Sequence, residues 1–106
     1  MSISALNSGL SGLRGYQTAL DSSAHNIANA NTSNFQPEQA SFQEGSNGGV
    51  TVNISRQGIA ASADASGTDL TTETVNSIQY KAGFDVNAQV VKTANEVLGT
   101  LLNTKA

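Results

Sequence analysis

Residues 3–29, ISALNSGLSGLRGYQTALDSSAHNIAN, carry apolar side chains at alternating steps of three and four. A sustained period of 3.5 residues is typical of a helix that winds against another helix and does not lie on a sheet. We call this set the leucine row. Its members are Ile3, Leu6, Leu10, Leu13, Gln17, Leu20, Ala24 and Ile27, with Gln17 as the polar exception. The sequence predicts an amino-terminal helix that pairs through this row.

A second helix is predicted over residues 69–106. Asp69 suits its N-cap, and Glu73 in the first turn is favoured by the positive end of the helix dipole. It carries its own heptad row, which we call the carboxy-terminal seam. The seam consists of Tyr80, Phe84, Asn87, Val91, Ala94, Leu98 and Leu101, and Val75, Val86, Val90 and Val97 widen its apolar face. We expect the two rows to face each other, with the amides of Gln17 and Asn87 fixing their register.

The segment between the helices predicts a small β-hairpin. Residues 39–44 and 50–57 alternate between apolar and polar side chains, and a turn rich in glycine and asparagine separates them. Residues 58–67 are small and suit a flexible linker.

Capping residues mark both ends of the first helix. Ser2 or Ser4 suits its N-cap, and the asparagine-rich residues 29–34 compete for its backbone at the other end. Asn34 tolerates a left-handed conformation, and Pro37 prevents the helix from continuing.

The predicted fold is mainly α, with two long terminal helices forming an antiparallel, coiled-coil-like pair. Three segments are expected: an amino-terminal helix with its asparagine-rich turn (1–34), the hairpin and flexible linker (35–68), and the carboxy-terminal helix (69–106).

The face opposite the leucine row is built from small side chains, and we call it the small-residue ridge. It comprises Ser8, Ser11, Gly12, Gly15, Ala19, Ser22 and Ser23. Such a surface allows another helix to approach closely, and the contact must offset the low helix propensity of glycine. Arg14 and Asp21 are the only fixed charges in residues 3–29. We therefore predict that Ser8, Gly12, Gly15 and Ala19 contact neighbouring subunits.

Composition argues against several functions. The net charge is −3 and the five basic residues are spread singly, so no nucleic-acid surface is expected. No stretch is apolar enough to insert into a membrane, and the first residues do not resemble a cleavable signal peptide. The chain lacks cysteine, His25 is its single histidine, and the carboxylates are dispersed. We expect no catalytic site, cofactor or metal.

Several motifs resemble those of bacterial flagellar rod and hook proteins, the axial proteins. AHNIANANT at residues 24–32, followed by Asn34 and Phe35, is similar to the family motif that ends the first helix. The matching motif residues are Asn26, Asn29, Asn31 and Thr32. DLTTETV at residues 69–75, FDVNA at 84–88 and TANEVLGTLLN at 93–103 resemble the second helix of the family. Asn34, Gln36 and Phe84 depart from the commonest family residues.

The resemblance implies a structural protein of the flagellar basal body, closest to the small proximal-rod proteins. It further implies terminal helices that pack in a helical tube spanning the periplasm, with itself and other axial proteins as partners. Export through the flagellar type III apparatus without a cleaved signal peptide is implied as well.

The sequence supports two alternative hypotheses about function. The first is a structural subunit of the rod, which serves motility. The alternative is a non-polymeric paralogue that uses the same helices as a protein–protein interaction module, because the middle segment is short. Open filaments would favour the first, and a defined small complex would favour the second.

Overall fold

The computed structural model describes residues 2–45, 48–56 and 66–105. The elements in chain order are α1 (Ser2–Ala28), β1 (Glu38–Glu44), β2 (Val50–Arg56) and α2 (Leu70–Lys105). This architecture confirms the predicted fold class of two terminal helices with a hairpin between them. Most of the predicted linker lies outside the described residues.

The two helices run antiparallel and approach closely. Ser23 of α1 meets Ser77 near the start of α2, with 2.9 Å between the hydroxyl oxygens. Towards the other end, a Cβ added to Gly9 would stand 2.8 Å from Cγ2 of Val91. Later residues of α1 thus contact earlier residues of α2, so the two helices are antiparallel.

The hairpin packs against the helix pair. β1 and β2 pair antiparallel from Glu38↔Arg56 to Glu44↔Val50. An isolated hairpin of this size is marginal in water. Here Phe42 joins two helical aromatic rings, with ring centroids 4.9 Å from Tyr16 and 5.8 Å from Tyr80. This aromatic cluster, Tyr16, Phe42 and Tyr80, ties the three parts of the molecule together.

A capping residue holds the start of α2, and a residue with left-handed backbone lies in the turn that follows α1. Oδ1 of Asp69 accepts hydrogen bonds from the backbone N–H groups of Thr71 (3.0 Å) and Thr72 (3.3 Å), which confirms the predicted N-cap of α2. After α1, Asn34 has a φ of 63°, the left-handed conformation that its residue type tolerates.

The prediction that Ser2 or Ser4 is the N-cap of α1 is wrong. Because α1 begins at Ser2, both serines lie within its first turn, and neither precedes the helix.

The molecule is elongated, with principal extents of 66 × 23 × 15 Å and a radius of gyration of 17.9 Å. A compact chain of this length has a radius of gyration of about 13 Å. The accessible surface is 7002 Å², against about 5,600 Å² for a compact protein of the same mass. Within the described residues, neither helix is both long and apolar enough to cross a membrane.

Candidate functional site

The small-residue ridge lies inside the chain. Ala19 has no accessible surface, Gly12 and Gly15 are buried, and Ser8 is half-buried. A Cβ on Gly12 would collide with the side-chain amide of Asn87, and one on Gly15 would stand 3.0 Å from Cγ2 of Val52. The prediction that these residues contact neighbouring subunits is therefore wrong for Gly12, Gly15 and Ala19, and for the half-buried Ser8 it stays a prediction. Small side chains are needed because α2 and the hairpin both pack on this side of α1.

The leucine row, by contrast, is partly open to solvent. Leu6, Leu10, Leu13 and Leu20 are half-buried, and Ile27 is exposed. The prediction that Gln17 lies in a helix seam is wrong, because its side chain is exposed and donates to Oδ1 of Asp21 at 2.8 Å. The most deeply buried side of α1 is thus the small-residue ridge and not the leucine row.

The carboxy-terminal seam lies largely against α1. Ala94 is buried, Tyr80, Phe84, Asn87, Val91 and Leu98 are half-buried, and Leu101 is exposed. Nδ2 of Asn87 donates to the carbonyl of Gly83 at 2.8 Å, which holds the amide against Gly12. Asn87 consequently meets a glycine of α1.

An apolar stripe on α2 remains uncovered, and we call it the valine stripe. Its members are Val75, Val86, Val90 and Val97. Val86 is 60% exposed. A shallow groove of about 370 Å³ runs along the last three of these valines and is closed on one side by Ala5. Contiguous apolar surface of this kind is typical of a protein–protein contact.

A cluster of polar side chains, buried except for the half-buried Ser77, joins α1, α2 and β1, and we call it the polar junction. Its members are Ser22, Ser23, Asn26, Glu73 and Ser77. Asn26, which is 1% exposed, donates from Nδ2 to the carbonyl of Glu38 at 2.7 Å and to Oε2 of Glu73 at 3.0 Å. Its Oδ1 accepts the N–H of Glu38 at 2.8 Å. One amide therefore fixes the start of β1 and the first turn of α2.

The Glu73 carboxylate is the buried charge of the polar junction. It is 5% exposed, and its Oε1 accepts from the Ser23 hydroxyl at 3.0 Å. Burial, and next the negative charge of Glu73, raise the pKa of Tyr80 above its usual value of 10.0. The potential in this region is accordingly negative.

The other motif residues cap the end of α1. Nδ2 of Asn29 donates to the carbonyl of His25 at 2.9 Å, and Thr32 Oγ1 donates to Oδ1 of Asn29 at 3.1 Å. Asn31 is exposed. The His25 ring lies edge-on to Phe35, with centroids 5.4 Å apart. Across the described residues, no group of three or more histidine and acidic side chains is arranged to hold a metal ion.

Sequence reasoning missed the polar junction, although a signal was present. The helix positions that face α2 repeat the same steps of three and four as the leucine row. They are Gly9, Gly12, Tyr16, Ala19, Ser23 and Asn26. Because the set is mostly small or polar, hydrophobicity alone does not identify it as the inner face.

Comparison with protein families gives two matches. The family model described as "Flagella basal body rod protein" matches residues 6–36, which cover most of α1 and the motif at its end. The model described as "Flagellar basal body rod FlgEFG protein C-terminal" matches residues 62–104, which cover nearly all of α2. No curated protein matches the chain. The two matches fall on the helices that pack against each other.

Proposed function

The chain belongs to the flagellar basal body rod protein family and has its structural role in the basal body, and we propose that it assembles through its exposed apolar surfaces into the rod. The partners in this proposal are further copies of the chain and other axial proteins. The observation that carries it is the uncovered valine stripe on a helix pair whose inner face is already filled.

Two different apolar surfaces suit a tube better than a closed dimer. The valine stripe lies on α2, and the half-buried leucine row lies on α1. Contact between unlike surfaces is heterologous and, when the rotation does not close, generates an open helical polymer. We propose that the leucine row of one subunit meets the valine stripe of the next.

The elongated shape supports the same proposal. The accessible surface of 7002 Å² exceeds that of a compact protein of this mass by about 1,400 Å². A standard protein–protein interface takes about 800 Å² from each partner. Assembly would cover the excess. We also propose that the chain passes through the flagellar type III export apparatus to a rod that spans the periplasm. The family relationship supports this part of the proposal.

Val86→Asp is expected to block assembly without unfolding the subunit. Val86 is 60% exposed, so a carboxylate there is hydrated in the free chain but desolvated in the polymer. The concentration needed for polymerisation should rise about tenfold or more. Sedimentation and negative-stain microscopy would measure this.

Asn95→Asp is the matched control, because Asn95 is an exposed polar residue of the same helix. It adds the same charge and should leave assembly nearly unchanged. Polymerisation of the Val86→Asp variant at the unaltered concentration would refute the valine stripe as an interface. A stable small complex in place of polymers would favour the interaction-module alternative.

A further inference from the structure

The polar junction borders a cleft of about 320 Å³ between α1, β1 and the first turns of α2. Its wall includes Ser22, Glu73, Asn76, Tyr80 and Ala40. A water molecule occupies about 30 Å³ of liquid, so the cleft can admit a larger polar group.

Glu73 has unused capacity to accept hydrogen bonds. An ionised carboxylate offers about four lone-pair positions. In the structure Oε1 accepts from Ser23 and Oε2 accepts from Asn26, and both donors are neutral. Each oxygen therefore retains room for another donor.

The charge of Glu73 also has no partner of opposite sign within the described residues. The ion pair found there joins Lys81 and Asp85 on the surface of α2. A carboxylate that is 5% exposed is costly unless a cation or further donors compensate it. The site is thus electrostatically prepared for a positive group.

Ser22 provides an independent indication of a ligand. It is 6% exposed, and its buried hydroxyl oxygen has no hydrogen-bond partner among the described residues. A buried hydroxyl in this state is rare, because losing water without gaining a partner is unfavourable. Ser22 stands in the wall of the same cleft as Glu73.

We propose that this cleft binds a cationic side chain, a guanidinium or an ammonium group, presented by a neighbouring protein subunit. The positive group donates to Glu73, and the Ser22 hydroxyl accepts a further hydrogen bond from it. The pKa of Tyr80 is raised mainly by burial and next by the negative charge of Glu73, which such a group would neutralise. That the donor is an adjacent axial subunit rests on the proposed function, whereas binding of the positive group does not.

Small probes test the site without assembly. The full-length chain, labelled with ¹⁵N, would be titrated with n-propylguanidinium and with n-butylammonium, and amide shifts would be recorded at constant ionic strength. N-propylurea, which has a similar shape and no charge, is the control ligand. We expect saturable shifts at Ser22, Ala40 and Glu73 with at least one cation and none with the urea.

Glu73→Gln should weaken binding about tenfold or more, because the charge is lost while the side-chain shape is kept. Should this variant fail to fold, Ser22→Ala is the deciding variant, since it removes a hydroxyl that has no hydrogen-bond partner in the described part of the chain. We expect a several-fold loss of affinity there. Saturation by the urea, no saturable shift with either cation, or unchanged affinity in the variant that folds would overturn the proposal.

The source of the group can be separated from its chemistry. The exposed basic residues Arg14, Arg56 and Lys92 are the candidates if a second copy supplies it. Loss of self-assembly in one of Arg14→Gln, Arg56→Gln or Lys92→Gln, matched by the loss in Glu73→Gln, would identify a second copy. Unimpaired self-assembly of all these variants, and of Lys81→Gln and Lys105→Gln, would assign the group to a different axial protein. If the chain does not polymerise at all, the proposed function fails while the probe result stands.

Discussion

Asn26→Ala is expected to lower the free energy of unfolding by about 3–5 kcal/mol, because its buried side chain makes three hydrogen bonds whose partners would be left unpaired. Those partners are the N–H and carbonyl of Glu38 and the carboxylate of Glu73. The alanine side chain can form none of these hydrogen bonds. Since small domains are stable by only about 5–15 kcal/mol, a large share of the stability would be lost. Urea unfolding followed by circular dichroism would measure the change.

Asn31→Ala is the matched control for that experiment. Asn31 belongs to the same motif but is exposed, so its replacement should change the stability by no more than about 0.5 kcal/mol. Equal losses in the two variants would show that the motif acts as a generic helix end. If Asn26→Ala lowers the free energy of unfolding only slightly, the polar junction is not the element that joins the hairpin to both helices.

Gly83→Ala is expected to destabilise the protein by about 2 kcal/mol, because overpacking outweighs the gain in helix propensity. A Cβ at Gly83 would collide with the ring of Tyr16. The ring cannot simply rotate away, since its centroid lies 4.9 Å from that of Phe42 and 6.5 Å from that of Tyr80. The helices would have to separate at the aromatic cluster. Thermal and urea unfolding would both report the loss.

Gly99→Ala offers the opposite expectation on the same helix. Apart from the neighbouring backbone of α2 itself, no heavy atom of the described residues lies within 4 Å of a Cβ added at Gly99. The variant should therefore gain up to about 1 kcal/mol from helix propensity. In a Tyr16→Ala background the cost of Gly83→Ala should disappear, because the colliding ring is absent. If Gly83→Ala lowers the free energy of unfolding by the same amount in that background, the collision with Tyr16 does not cause the destabilisation.

The sequence was sufficient to predict the elements and their order. Period and capping residues identified both helices, and Asp69 caps α2 as expected. Alternation around a glycine-rich turn located the hairpin to within a residue at the outer end of each strand. These features are local, so the residues that decide them lie within a few positions of one another.

The assignment of faces could not be predicted from hydrophobicity. The leucine row is the most apolar side of α1, yet Gly12, Gly15 and Ala19 form the inner side. In an isolated globular domain the apolar side is buried, and the inference fails here because much of the apolar surface remains uncovered in the single chain. The pairing of Asn26 with Glu73 spans 47 positions, so no local pattern reveals it.

A cryo-electron microscopy reconstruction of basal bodies purified from motile cells that express this chain tests the central claim most directly. The proposed function predicts the chain in the rod, with Val86 and Val97 covered by a neighbouring subunit and the hairpin still packed on Gly15. Absence of the chain from the rod, or a valine stripe that faces solvent within it, would contradict the claim.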